Sequence, residues 1–92
     1  MKKKFEYEFN VESHGRISFE YSGDGSEKFD VIIHDDKVGI HANKKGYLAL
    51  AKLMSKLALS ELKEDTHIHL TKDFLDDGPQ IIWFGIMKDK LA

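Results

Sequence analysis

The chain has no cysteine, so neither a disulfide framework nor a thiolate zinc site can support it, and thiol catalysis is excluded as well. Charge of one sign is also lacking: 14 basic against 16 acidic side chains leave a net −2 at pH 7. Such a balance supplies no general field for nucleic acid, and DNA or RNA binding is disfavoured. There is no long hydrophobic run. The longest, Ile81-Ile82-Trp83-Phe84-Gly85-Ile86-Met87, falls far short of the roughly 20 residues that cross a bilayer as a helix, so no membrane partner is expected. Met1-Lys2-Lys3-Lys4 imitates the basic start of a secretion signal, but Phe5-Glu6-Tyr7-Glu8-Phe9 follows where an unbroken apolar segment is required. A cytoplasmic location is expected.

Catalytic signatures are missing too. No Gly-x-Ser-x-Gly elbow is present, and Gly23-Asp24-Gly25 lacks the lysine-serine or lysine-threonine ending of a phosphate loop. Asp24, Ser26 and Asp30 resemble the start of a calcium loop without its glycine or its terminal glutamate. Asp35-Asp36 and Asp76-Asp77 are adjacent carboxylates in turn-like sequence, where solvation explains them better than a tuned acid-base pair. The expectation is a protein that is not an enzyme and takes no cofactor.

What is present suffices for one small α+β domain spanning residues 1–92, since 41% of the side chains are hydrophobic. Phe5, Tyr7, Phe9 and Val11 alternate with polar residues, and the same period of two returns in Ile17, Phe19 and Tyr21. Phe29 to His34 and Lys37 to Ala42 are the next two strands, with Asp35-Asp36 as a two-residue turn. Over 44–62 the period becomes helical, with Asn43 as N-cap and with Leu50, Met54 and Leu57 on the stripe expected to be buried. Strands over 66–71 and 80–88 complete a ββββαββ order. The predicted architecture is an antiparallel sheet of about six strands with one long helix packed on one face. The last strand is apolar on both faces, Ile82, Phe84 and Ile86 against Ile81, Trp83 and Met87, which suits a central or doubly covered position.

Two features bear on function. His67 and His69 leave the same face of their strand, and His34 and His41 are candidates to share a sheet face with them. Zinc needs three or four ligands, and an alternating pair does not supply them, so a structural or interfacial role is expected and no metal site is assigned. Lys44 and Lys45 open the helix while Glu61, Glu64 and Asp65 crowd its end, the reverse of what the helix dipole favours. Either neighbouring charges offset this or it marks a functional surface.

The stretch Gly46-Tyr47-Leu48-Ala49-Leu50-Ala51-Lys52-Leu53-Met54, the helix through Leu57 and Ala58, Thr66-His67-Ile68-His69-Leu70, and a Gly78-containing turn into Gln80-Ile81-Ile82 together resemble the bacterial immunity protein 32 family. The resemblance covers positions 38–88, with Pro79 standing where relatives commonly have serine. It implies a cytoplasmic protein that accompanies a polymorphic toxin, binds it and neutralises it by surface contact. Asp73, Asp76 and Asp77, with Phe74 and Leu75 between them, combine rim charges with apolar anchors and form the expected contact loop, joined by His67 and His69. The competing classes are a metal-binding module or metal-dependent enzyme built on His34, His41, His67 and His69, and a homodimerising domain that uses the last strand.

Overall fold

A computed structural model of the chain describes residues 1–10, 23–60 and 66–87. Its elements are β1 (Phe29–His34), β2 (Lys37–Ala42), α1 (Lys44–Leu59), β3 (His67–Thr71) and β4 (Gln80–Gly85). The class is α+β with antiparallel strands and one helix, as expected, but the described strands number four and form two separate pairs, β1-β2 and β3-β4. The six-stranded sheet is therefore corrected. Residues 5–10 are not a strand, and 11 and 17–21 lie outside the described residues. Tyr7 and Phe9 do stay on one side, their rings 5.8 Å apart, and Lys52 of α1 stands 5.6 Å over the Tyr7 ring. Alternation there reflects one-sided contact without a strand partner, since period two reports which side is covered and not what pairs with the backbone.

In the first hairpin Phe29, Val31 and Ile33 lie opposite Ala42, Ile40 and Val38 and share one face. Only its base is covered: Phe29 is 1% exposed, whereas Ile33 and Val38 near the tip are 75% and 64% exposed. Asp35 and Asp36 turn the chain with φ of 50° and 61°, the left-handed conformation of a two-residue hairpin turn, which aspartate tolerates better than most side chains.

The helix starts where its cap places it. Asn43 Oδ1 accepts the N–H of Gly46 at 2.7 Å and that of Lys28 at 3.1 Å, while Asn43 Nδ2 donates to the Ser26 carbonyl at 2.8 Å. One side chain thus caps α1 and ties it to the segment entering β1. Gly46 makes that approach sterically feasible, because a Cβ there would stand 2.1 Å from the Lys28 carbonyl oxygen. The face containing Gly46 therefore points inward, and Ala49, Leu50 and Leu53 are buried with it. At about 3.6 residues per turn Leu53 stands roughly 20° round the helix from Gly46 and Met54 roughly 80°. That corrects the expected stripe: Leu50 is buried, but Met54 is 36% exposed and Leu57, a turn beyond Leu53, is only half-buried. The helix ends at Ser60, whose backbone is extended and whose hydroxyl donates to the Lys56 carbonyl, one of the acceptors a helix end leaves open. Residues 61 and 62, expected within it, lie outside the described residues, as do Glu64 and Asp65.

The first-turn lysines find an offset at Lys45, which pairs with Asp24 at 3.0 Å. Asp24 also accepts from the side chain and backbone N–H of Ser26, and these bonds, with Lys45 after them, hold its carboxyl well below the usual carboxylate range. Asp24 in turn raises Lys45.

Phe29, Ala49, Leu50, Leu53, Leu70 and Phe74 form the core, joined at its edge by Val31, Ala42, Ile68, Ile81, Ile82 and Phe84. Leu70 lies opposite Ile82 and Ile68 opposite Phe84, so these four supply the inward face of the second hairpin. A bulge between Leu70 and Thr71 pairs Thr71 with Gln80 and leaves Ile81 as the extra residue. The bulge is why consecutive isoleucines 81 and 82 both pack on the core, which strict alternation forbids. It also corrects the expected grouping of Ile81 with Trp83 and Met87.

Two outcomes follow. Leu53→Ala should lower stability by about 2–5 kcal/mol and Leu57→Ala by clearly less, read from denaturant midpoints. Because the folded-state pKa of Asp24 is depressed, its contribution is present above the unfolded value of about 3.9 and is lost as pH falls through the folded value. The stability difference between wild type and Asp24→Asn should therefore hold at pH 5–7 and shrink progressively below about pH 4.

Candidate protein-interaction surface

The loop from Lys72 to Pro79 divides into an inward and an outward half. Its ends are joined by the Lys72 N–H donating to the Pro79 carbonyl at 3.1 Å, and Leu75 N–H returns to the Lys72 carbonyl at 3.2 Å. The two residues inside that turn, Asp73 and Phe74, have φ of 55° and 58°. For a bulky phenylalanine the left-handed region is strained, by about 1–3 kcal/mol in general, and persists only where surroundings over-determine it. Here they do. The Phe74 ring is buried and stacked on Phe29 at 5.4 Å, and Asp73 Oδ1 accepts the Phe29 N–H at 2.9 Å. Lys28 Nζ lies 3.9 Å from the other Asp73 oxygen.

Of the expected contact loop, then, Asp73 and Phe74 hold the loop to the first hairpin, while Leu75, Asp76 and Asp77 face outward. Leu75 presents its side chain to solvent although its carbonyl accepts from the Thr71 hydroxyl and from the Gly78 N–H, at 3.2 Å for the latter. Asp76 and Asp77 enter no ion pair among the described residues.

His67 and His69 are exposed on the outer face of β3, opposite Gly85 and Trp83 respectively. The two imidazoles meet edge-on with centroids 4.8 Å apart, and His67 lies 5.7 Å from the Trp83 ring. Trp83 was not singled out from sequence as a contact residue, yet it is 63% exposed and sits at the centre of this face. Its signal was the alternation in β4, but the register bringing it beside His69 is a pairing between strands. Across from His67, Gly85 leaves room for the indole: a Cβ there would be 3.0 Å from Trp83 Cζ3.

The histidines do not converge. His34 and His41 belong to the β1-β2 pair and His67 and His69 to the β3-β4 pair, so the shared sheet face is corrected. His34 Nε2 lies 3.2 Å from Asp35 Oδ2 at the first hairpin's tip. Among the described residues no group of three or more histidine and carboxylate side chains is arranged to hold a metal ion.

No family model, curated protein or solved structure matches the chain.

The inward and outward halves of the loop should respond differently to truncation. Phe74→Ala should destabilise by about 3–5 kcal/mol, as removal of a buried aromatic does, whereas Leu75→Ala should stay within about 0.5 kcal/mol. Chemical denaturation of both variants checks the division.

Proposed function

We propose that this protein is a bacterial immunity protein that binds a cognate toxin by surface contact and neutralises it without chemistry of its own. The observation that carries the reading is the exposed face of His67, His69 and Trp83 on the same hairpin as the outward Leu75, Asp76 and Asp77. An aromatic anchor beside apolar and charged neighbours is the composition that dominates protein–protein binding energy. It is borne by the half of the chain that resembles the immunity family. The turn beneath is held by Phe74 and Asp73, so the contact residues are presented on a preorganised support, which lowers the ordering cost of association. A standard interface asks for about 800 Å² from each partner, so this hairpin face and its loop would form its centre and neighbouring surface its rim.

Among the described residues no helix is long and apolar enough to cross a membrane. An immunity role would place the protein in the cytoplasm, where a toxin acting inside the cell must be met.

The direct test is to seek a toxin gene beside its own and co-express the two. Wild type should preserve growth and co-purify with the toxin. Reversing Asp76 and Asp77 to lysine should slow association, with an effect that grows at low salt, because exposed charges steer encounter more than they hold the complex. Failure of wild type to protect or bind would remove the reading. Unchanged association by the double variant would remove only the acidic turn from the interface.

A further inference from the structure

The geometry points to Trp83 as a seat for a guanidinium group, an arginine side chain presented by the protein partner. This rests on the toxin-binding reading above and names the chemistry that the partner brings.

The first argument is the state of the indole. Trp83 is 63% exposed although it belongs to a strand whose neighbours Ile82 and Phe84 pack against the core. Its benzenoid edge lies over the Gly85 backbone, and the His67 ring meets it at 5.7 Å and 64°. Two contacts thus brace it while most of its surface stays open. An indole face carries negative charge density and attracts cations more strongly than any other side-chain ring. Among the described residues the cation–ring contact is Lys52 over Tyr7, so no lysine of this part of the chain occupies Trp83.

The second argument is charge. Cations beside the loop are already engaged: Lys72 Nζ is 3.5 Å from Asp30 Oδ2, and Lys28 Nζ is 3.9 Å from Asp73 Oδ2. Asp76 and Asp77 are exposed just before β4 and take no ion pair among the described residues. Trp83 is on the strand that leaves this acidic turn, so the two carboxylates add to the field met by a cation approaching this hairpin. The outer face itself, His67, His69 and Thr71 with Gln80, Trp83 and Gly85, carries no acidic group to compete for it. Arginine suits the seat better than lysine, because its planar, weakly hydrated guanidinium can stack flat on the ring while its N–H groups stay in solvent.

Trp83 is the only tryptophan in the chain, so intrinsic fluorescence reports this position alone. The probe is an arginine–glycine repeat peptide, with a citrulline counterpart that keeps the shape and lacks the charge. The arginine peptide should give a saturable fluorescence change and bind at least about threefold more tightly than the citrulline peptide by calorimetry. Trp83→Ala, checked for folding by circular dichroism, should weaken binding about two- to fivefold, with Trp83→Phe in between. Asp76→Asn with Asp77→Asn should weaken it further. No fluorescence response, equal binding of the citrulline peptide, or unchanged affinity in Trp83→Ala would overturn the assignment. So would a fluorescence change that follows protein concentration without peptide, since a second copy would then be the occupant. In cells, a protective wild type matched fully by Trp83→Ala in toxin affinity would overturn the seat alone, whereas a wild type that neither protects nor binds would overturn the parent reading.

Discussion

Phe29 is the point at which the two hairpins become one structure. Its ring is the most deeply buried side chain described and stacks on Phe74, while its amide donates to Asp73. One residue of the first hairpin is therefore held through both ring and backbone by two adjacent residues of the second hairpin's loop. That linkage is what holds Phe74 in a left-handed backbone that a bulky side chain disfavours, beside Asp73 in the same conformation. The helix attaches to the same place from the other side, since Asn43 bonds the N–H and, through its own backbone N–H, the carbonyl of Lys28, the residue before Phe29. Disturbing Phe29 would consequently loosen the helix start, the loop and the first hairpin together.

The same linkage explains how so small a core can present a surface. Two-stranded sheets are marginal in water and depend on packing one face against something else. Here the dry faces of both hairpins turn toward α1 and toward each other, which leaves His67, His69 and Trp83 on a wet face with no described element above them. These exposed side chains are ones that the core does not need. A substitution at Phe74 should accordingly cost folding stability and one at Trp83 should cost little, although both are aromatic residues of the same hairpin and its loop.

Legibility in the sequence followed the range of the interaction. The strands β1 and β2, the Asp35-Asp36 turn and the Asn43 cap are decided by neighbours within a few residues, and the sequence expectations agree with them. The six-stranded sheet did not survive because alternation states which side of a segment is covered and says nothing about what lies beside its backbone. The burial of Phe74 was hidden for a related reason. In Asp73-Phe74-Leu75-Asp76-Asp77 an aromatic among carboxylates reads as an anchor on a loop, and only the reach across to Phe29 turns it inward. The helix stripe was displaced by Gly46, whose role depends on a carbonyl eighteen positions earlier in the chain. Nothing local in the sequence separates the inward residues of this loop from the outward ones.

That separation changes how charge in the loop should be understood. Asp73 and Asp76 look alike in sequence, but Asp73 accepts a backbone N–H and lies near Lys28, whereas Asp76 stands in solvent without an ion pair among the described residues. A carboxylate bonded to the backbone stabilises the fold and has little left to offer a partner, since its acceptor positions are partly used and moving it would break the turn. An exposed carboxylate contributes little to stability but adds to the field met by an approaching molecule. The acidic run is thus one sequence feature carrying two physical functions, and the boundary falls between Phe74 and Leu75, where the chain passes from core to solvent.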